Sequence, residues 1–115
     1  MPLYDWKQLP EEQMNPLVSR QVIHTETMTI ARLRLQANAA VASHSHENEQ
    51  VTTIERGALK FFMDGGETIV KAGESLIIPP HVPHGVVALE DTIAVDVFAP
   101  RREDWIRGDD AYLRK

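Results

Sequence analysis

Residues 38–57 read NAAVASHSHENEQVTTIERG and residues 73–88 read GESLIIPPHVPHGVVA, and these two stretches decide the fold. The first contains two histidines separated by one serine, His44 and His46. The second places His84 just before a pair of valines. Residues i and i+2 of a β-strand project from the same face, so both imidazoles of the first stretch can converge on one point. The alternative is that these histidines lie on the surface at strand ends.

A fourth candidate ligand follows the histidine pair. Gln50 has the same strand parity as His46, whereas Glu49 has the opposite parity and stays open as an alternative because loops break parity. Three imidazoles and one amide oxygen form a first-row metal site with open positions, which accepts Ni, Mn, Fe, Co or Zn. Because glutamine is neutral, a divalent ion would keep nearly its full charge, which favours anionic substrates. His24 and His81 lack ligand spacing, and we assign them to a solvated strand end and to a turn.

Short β-like runs fill the middle of the chain, and the turn residues Asp64-Gly65-Gly66 predict a hairpin. The predicted strands are 18–24, 27–35, 50–55, 58–63, 67–71, 75–79, 85–90 and 92–98. Short, regularly spaced strands without helical periodicity predict an all-β barrel or sandwich. We therefore expect one domain in three parts: an irregular N-terminal arm (1–16), a barrel (17–100) and a C-terminal tail (101–115).

Composition excludes several functional classes. The 115 residues carry 12 basic and 17 acidic side chains, for a net charge of −5, which argues against nucleic acid or an anionic membrane as the main partner. The absence of cysteine excludes disulfides, thiolate catalysis and cysteine-ligated zinc. No apolar run approaches about 18 residues and no basic-then-apolar start occurs, so we expect no membrane span or secretory signal and a cytoplasmic location.

The spacing of the two stretches resembles that of the small single-domain cupins. Their first motif, G(X)5HXH(X)3-4E(X)6G, aligns with Asn38 to Gly57, with Gln50 in place of the glutamate. Their second motif, G(X)5PXG(X)2H(X)3N, aligns with Gly73 to Ala88. Asn38 and His81 stand at glycine positions, and both residue types tolerate positive φ. The resemblance implies a cupin jelly-roll β-barrel and a divalent metal held by His44, His46, Gln50 and His84.

A second group of candidates lies in residues 96–105, DVFAPRREDW. In a strand, Asp96 and Phe98 share one face, opposite the face of the neighbouring valines. A carboxylate in mid-strand needs a polar cavity or a cationic partner, because an unpaired buried charge is costly. An Asp–Arg pair that only pins the tail is the alternative to a functional role. The candidate cations are Arg34, Arg101 and Arg102.

This segment, together with the histidine pair, resembles the pectin-degradation cupins of the KdgF type over residues 20–105. The resemblance implies a metal held by three histidines and one glutamine, and conversion of 4,5-unsaturated uronic acids to open-chain ketouronates. It also implies that Asp96, Phe98 and Arg102 handle the substrate. In that mechanism Asp96 moves a proton during ring opening, and Arg102 or Arg34 pairs with the substrate carboxylate in bidentate fashion.

Two other functions remain open: a metal-dependent dioxygenase, and a non-catalytic cupin that binds a metal or a sugar acid. In each case the expected partner is a small acidic molecule. We also expect a homodimer, because the small cupins usually pair their sheets and exposed strand edges invite pairing. The proline-rich arm also carries apolar residues that need a packing partner.

Overall fold

The computed structural model describes all residues from Met1 to Lys115. Alternation of apolar and polar residues produces strands rather than helices over most of this length. The strands are β1 (Glu12–Asn15), β2 (Val18–His24), β3 (Thr29–Leu35), β4 (Ala40–His44), β5 (Glu49–Arg56), β6 (Ala58–Met63), β7 (Gly66–Lys71), β8 (Ser75–Ile78), β9 (His84–Ala88) and β10 (Thr92–Ala99). One α-helix, α1 (Glu103–Ile106), and two 3-10 helices, Trp6–Gln8 and Ala111–Leu113, complete the chain.

The strands form two antiparallel sheets that face each other as a jelly roll. One sheet has the order β1-β2-β3-β10-β5-β8, and the other has the order β4-β9-β6-β7. Side chains that alternate inward from both sheets fill the space between them, and the largest fully buried apolar ones are Phe98, Ile54, Ile78 and Val18. The all-β barrel predicted from the sequence is confirmed.

Two of the ten strands were not predicted. The N-terminal arm is irregular only in part, because β1 within it pairs with β2 at the edge of the larger sheet. Only Met14 of β1 is buried, so its sequence lacks the apolar alternation that marks a strand. Tertiary pairing therefore sets this strand, as it does β4, in which Val41 alone is buried.

Backbone conformation at three turns agrees with the sequence. Asn38 and His81, which stand at the glycine positions of the two stretches, have φ of 74° and 67°. Asp64 and Gly65 also have positive φ, at 53° and 74°, and connect β6 to β7 as a two-residue hairpin. The prediction that Asn and His accept the left-handed conformation in place of glycine is confirmed.

The C-terminal tail folds back over one end of the barrel. Its helix α1 buries Trp105, and its 3-10 helix buries Leu113. Asp110 forms a buried ion pair with Arg20 of β2. None of the helices is long and apolar enough to cross a membrane. Dimer formation stays a prediction.

Candidate metal centre

Two histidines of the site are placed by strand pairing. His44 is the last residue of β4 and His84 is the first residue of β9, and the two are partners in the antiparallel register. Their ring centroids are 4.4 Å apart. His46 lies beyond the end of β4, so it shares no strand face with His44. His44 and His46 therefore converge because the loop after β4 turns His46 toward His44. We expected the two imidazoles to converge because they share a strand face, and that reason does not apply.

The three imidazoles are oriented by backbone carbonyl groups. Nδ1 of His44 lies 2.9 Å from the carbonyl oxygen of Ala42, and Nδ1 of His84 lies 2.9 Å from that of Val82. Nδ1 of His46 lies 3.0 Å from the carbonyl oxygen of Asn48. A carbonyl oxygen only accepts hydrogen bonds, so each Nδ1 carries the proton and each Nε2 presents its lone pair.

These Nε2 atoms have the properties of metal ligands. One ligand atom from each histidine lies within 4.8 Å of the other two. Nε2 of His84 is buried and has no hydrogen-bond partner in the protein. Burial lowers the pKa of His44 and of His46 to about 4, so both rings are neutral at pH 7. Neutral, carbonyl-oriented imidazoles with one orphaned buried nitrogen fit a bound divalent ion.

Gln50 faces this cluster from β5. Its side chain is buried, and its Oε1 lies 3.1 Å from Nε2 of His46. Its Nε2 donates to Oγ1 of Thr52 at 2.9 Å, which fixes the amide with the oxygen toward the imidazole. Two lone-pair acceptors therefore face each other, an arrangement that a shared cation would stabilise. Glu49 is exposed, on the opposite side of the strand.

Asp96 lines the same cavity as Gln50, on the inner face of β10. Oγ1 of Thr52 donates to Oδ1 of Asp96 at 2.6 Å, so a chain of hydrogen bonds joins the Gln50 amide to this carboxyl group. Burial raises the pKa of Asp96 to about 6, although the hydrogen bond from Thr52 opposes this effect. Phe98, two residues on, points inward as well and meets the His46 ring edge-on at 5.7 Å. The alternation of β10 predicted this inner face.

Arg102 borders the cavity but does not pair directly with Asp96. Its guanidinium lies 4.7 Å from the ring centre of Phe98 and 4.4 Å from that of Trp105. Its Nε and Nη2 donate to the two carboxylate oxygens of Asp104 at 3.0 and 2.8 Å. The resemblance assigned the Arg102 guanidinium to a substrate carboxylate. Two of its N–H groups, on Nε and Nη2, instead bind the carboxylate of Asp104.

The other two candidate cations lie outside the site. Arg34 is on the outer face of β3, with 55% of its side chain exposed and Nε 3.4 Å from Glu11. Arg101 pairs with Glu103 at the surface. The side chains of Arg34 and Arg101 point to solvent, away from the cavity. The prediction that Arg34 pairs with the substrate therefore does not agree with the structure. The prediction that Arg34 or Arg101 pairs with Asp96 does not agree with it either.

Sequence reasoning missed three polar groups of the site. Thr52 links Gln50 to Asp96, and Tyr112 places its ring 4.4 Å from that of His44. Asp104 holds Arg102. The parity of Thr52 with Gln50 could have indicated the first, whereas the tail has no periodic pattern that would indicate the other two.

The chain resembles known proteins along most of its length. The pectin degradation protein KdgF of Dickeya dadantii (strain 3937) is 24% identical over 100 residues, which are 84% of this chain and 91% of that protein. The structure of KdgF from Halomonas sp. superposes with a TM-score of 0.85 at 26% identity, covering 91% of this chain and 98% of that one. An RmlC-like cupin from Shewanella frigidimarina NCIMB 400 superposes with a TM-score of 0.83 at 28% identity, covering 89% and 93%.

A family model for the cupin domain matches residues 31–99, more than half of the chain. This range includes all three histidines of the cluster. The two-sheet jelly roll and the histidine cluster at one end of it agree with that match. The chain therefore belongs to the cupin family.

Proposed function

We propose that this chain is a metal-dependent isomerase of small acidic sugars, which converts 4,5-unsaturated uronates to open-chain ketouronates. The observation that carries the proposal is the combination of three Nε2 lone pairs and the Gln50 oxygen with a buried carboxyl group in the same cavity. Resemblance to pectin-degradation proteins over most of the chain supports the choice of substrate.

Substrate binding is assigned to the ligand cluster and to Arg102. The proposed metal ligands are His44, His46, Gln50 and His84. A divalent ion held there would act as a Lewis acid that polarises a substrate oxygen. Nη1 of Arg102 makes no hydrogen bond to the protein, whereas Nε and Nη2 do, so it is the guanidinium nitrogen left for a substrate carboxylate. Phe98 supplies an apolar wall beside that guanidinium.

Asp96 moves the proton in the proposed reaction. The C1 hydroxyl of the sugar loses its proton, the bond between C1 and the ring oxygen breaks and that oxygen takes up a proton, which leaves an aldehyde at C1 and an enol at C5. The enol then loses its hydroxyl proton and gains a proton at C4, so the overall change is an isomerisation that consumes no other reactant. Asp96 lines the cavity and is held by Thr52, which leaves the carboxyl positioned for proton transfer.

The experiment is a turnover assay of protein reconstituted with Ni, Mn, Fe, Co or Zn in turn, with an unsaturated uronate as substrate. We expect loss of the ultraviolet absorbance of the conjugated double bond without oxygen uptake. Asp96→Asn should keep the fold and the metal content and lower kcat by about 100-fold or more.

Two outcomes would contradict the proposal. Oxygen consumption that accompanies turnover would favour a dioxygenase, and tight uronate binding without turnover would favour a binding module. If Asp96→Asn lowers Tm by many degrees while activity per folded molecule is unchanged, the carboxyl group is structural and its catalytic assignment is wrong.

A further inference from the structure

The hydrogen bonds of Arg102 leave one of its guanidinium nitrogens, Nη1, for a ligand. Of five N–H groups, the Nε hydrogen and one Nη2 hydrogen go to Asp104, and these two lie on one edge of the planar group. The second Nη2 hydrogen points to the edge shared with Nη1, and it is donated to Oη of Tyr112 at 2.7 Å. A carboxylate oxygen bound at Nη1 would therefore lie next to the Tyr112 hydroxyl group.

The Tyr112 hydroxyl group is held as a donor. Its oxygen accepts one hydrogen bond from Arg102 and another from Nε1 of Trp105, at 3.0 Å. Arginine and tryptophan side chains can only donate, so both lone pairs of the phenol oxygen are engaged and its own proton is free to be donated. That O–H group donates to no protein atom.

Tyr112 also lies beside the histidine cluster. Its ring centroid is 4.4 Å from that of His44, and it lines the cavity that contains Gln50 and Asp96. The C-terminal 3-10 helix that carries it is fixed by the ion pairs of Asp110 with Arg20 and Arg114. The phenol is thus brought to the cavity by a segment outside both histidine-bearing stretches.

We propose that Tyr112 is a carboxylate-binding residue of this site, whose O–H group and the Nη1 group of Arg102 together hold the acid group of the ligand. Asp104 occupies one edge of Arg102 with two parallel hydrogen bonds, and Tyr112 accepts the Nη2 hydrogen of the other edge, so the phenol takes the place of Nη2 as the second donor to a ligand carboxylate. The inference rests on the proposed function only in taking the ligand to be a small acid.

The test compares two ligands of Zn²⁺-loaded protein by calorimetry: galacturonate, a saturated uronate, and imidazole, a neutral metal ligand. Tyr112→Phe keeps the ring against His44 and removes only the hydroxyl group. We expect its Kd for galacturonate to rise about tenfold, with Zn²⁺ content and Kd for imidazole unchanged. Tyr4→Phe, in the exposed N-terminal arm, is the matched control and should bind both ligands as the wild type does.

The ratio of the two Kd values separates binding from stability. Arg102 and Trp105 lose an acceptor in Tyr112→Phe, so a modest fall in Tm is expected, but that loss alone would not discriminate an acid from a neutral ligand. The inference would be overturned if Tyr112→Phe weakened the binding of both ligands equally, or if its Kd for galacturonate were no higher than that of the wild type. It would also be overturned if neither protein bound galacturonate. A tenfold galacturonate effect without turnover of unsaturated uronate would sustain the inference and reject the proposed function.

Discussion

The candidate site is built from two regions that are held in place in different ways. The metal-binding region is the end of the barrel that carries the three histidines and Gln50, and backbone hydrogen bonds between strands position it. The proposed acid-binding region is the tail from Arg101 to Lys115, and side-chain contacts attach it to the barrel: Asp110 to Arg20 of β2, and Arg114 to Glu12 of β1. Strand register thus places His44, His84 and Gln50, whereas a few charged pairs place the tail that is proposed to meet the substrate acid.

The difference implies that the two regions can be altered separately. A ladder of backbone bonds survives most single side-chain changes, whereas a segment held by buried ion pairs is sensitive to the loss of any one charge. Asn48 joins the two regions: its carbonyl oxygen orients His46, and its side-chain amide donates to the backbone carbonyls of Pro100 and Arg101.

The largest effect is expected from His84→Ala. It removes the most buried of the three imidazoles and should lower the affinity for a divalent ion by more than the roughly 100-fold cost of losing an outer-sphere partner. Metal content after dialysis against a weak chelator, with far-ultraviolet circular dichroism as a check on the fold, measures it. The matched control is His81→Asn, which keeps the positive φ of that turn and should retain the metal. Equal metal content in His84→Ala and His81→Asn would contradict the assignment of His84 as a metal ligand.

Asp110→Asn should affect the tail and spare the metal. It removes the carboxylate charge that pairs with the buried guanidinium of Arg20 beside Trp105. We therefore expect the free energy of unfolding to fall by about 3 kcal/mol and galacturonate to bind more weakly. Denaturant titration and metal analysis measure the two effects. Asp109→Asn, at an exposed pair with Arg107, should change stability by about 0.5 kcal/mol or less. Loss of metal in Asp110→Asn would show that the two regions are not separable.

Low pH should also weaken the attachment of the tail to the barrel in the wild-type protein. Burial alone would raise the pKa of Asp110, but hydrogen bonds from Arg114 and Arg20 outweigh it and hold the pKa below its usual value of 3.8. A lowered pKa contributes stability that is complete above pH 3.8 and is lost as the pH falls through the folded-state pKa. The tail should therefore become protease-sensitive only below about pH 4, and release between pH 5 and 7 would contradict this origin.

The smallest effect separates the two candidate fourth ligands. Gln50→Ala should weaken metal binding by about tenfold, because it removes one neutral oxygen ligand and leaves three imidazoles. Glu49→Ala should leave metal affinity unchanged, since that side chain is exposed on the far side of β5. Competition with a fluorescent chelator measures both. The reverse ranking would place Glu49, not Gln50, at the metal.

The metal-binding region could be predicted because its residues follow the spacing of a known motif, although His46 lies in a loop and not on a strand. The spacing of His44, His46 and His84 was sufficient to bring the three residues together, and the alternation of β10 put Asp96 and Phe98 on the inner face. Asn38 was expected at positive φ and is found there. The placement of Asp96, Phe98 and Asn38 depends only on a period of two and on turn chemistry, which local sequence carries.

The acid-binding region could not be predicted in the same way. Tyr112 reaches His44 from 68 positions along the chain, through a tail with no repeating pattern. The partner of Arg102 is its near neighbour Asp104, whereas the sequence offered Arg102 as one of three candidate partners of Asp96. Arg34 was misplaced although the alternation of β3, which buries Ala31 and Leu33, already indicates that Arg34 faces outward.

X-ray absorption spectroscopy of the metal-loaded protein would identify the ligands of the proposed metal centre. We expect one ion per chain with three imidazole nitrogens and at least one oxygen ligand in its first coordination sphere. We also expect that His84→Ala reduces the imidazole count to two or abolishes binding. A spectrum with no imidazole scattering, or one unchanged in His84→Ala, would contradict the assignment of this histidine cluster as the metal centre.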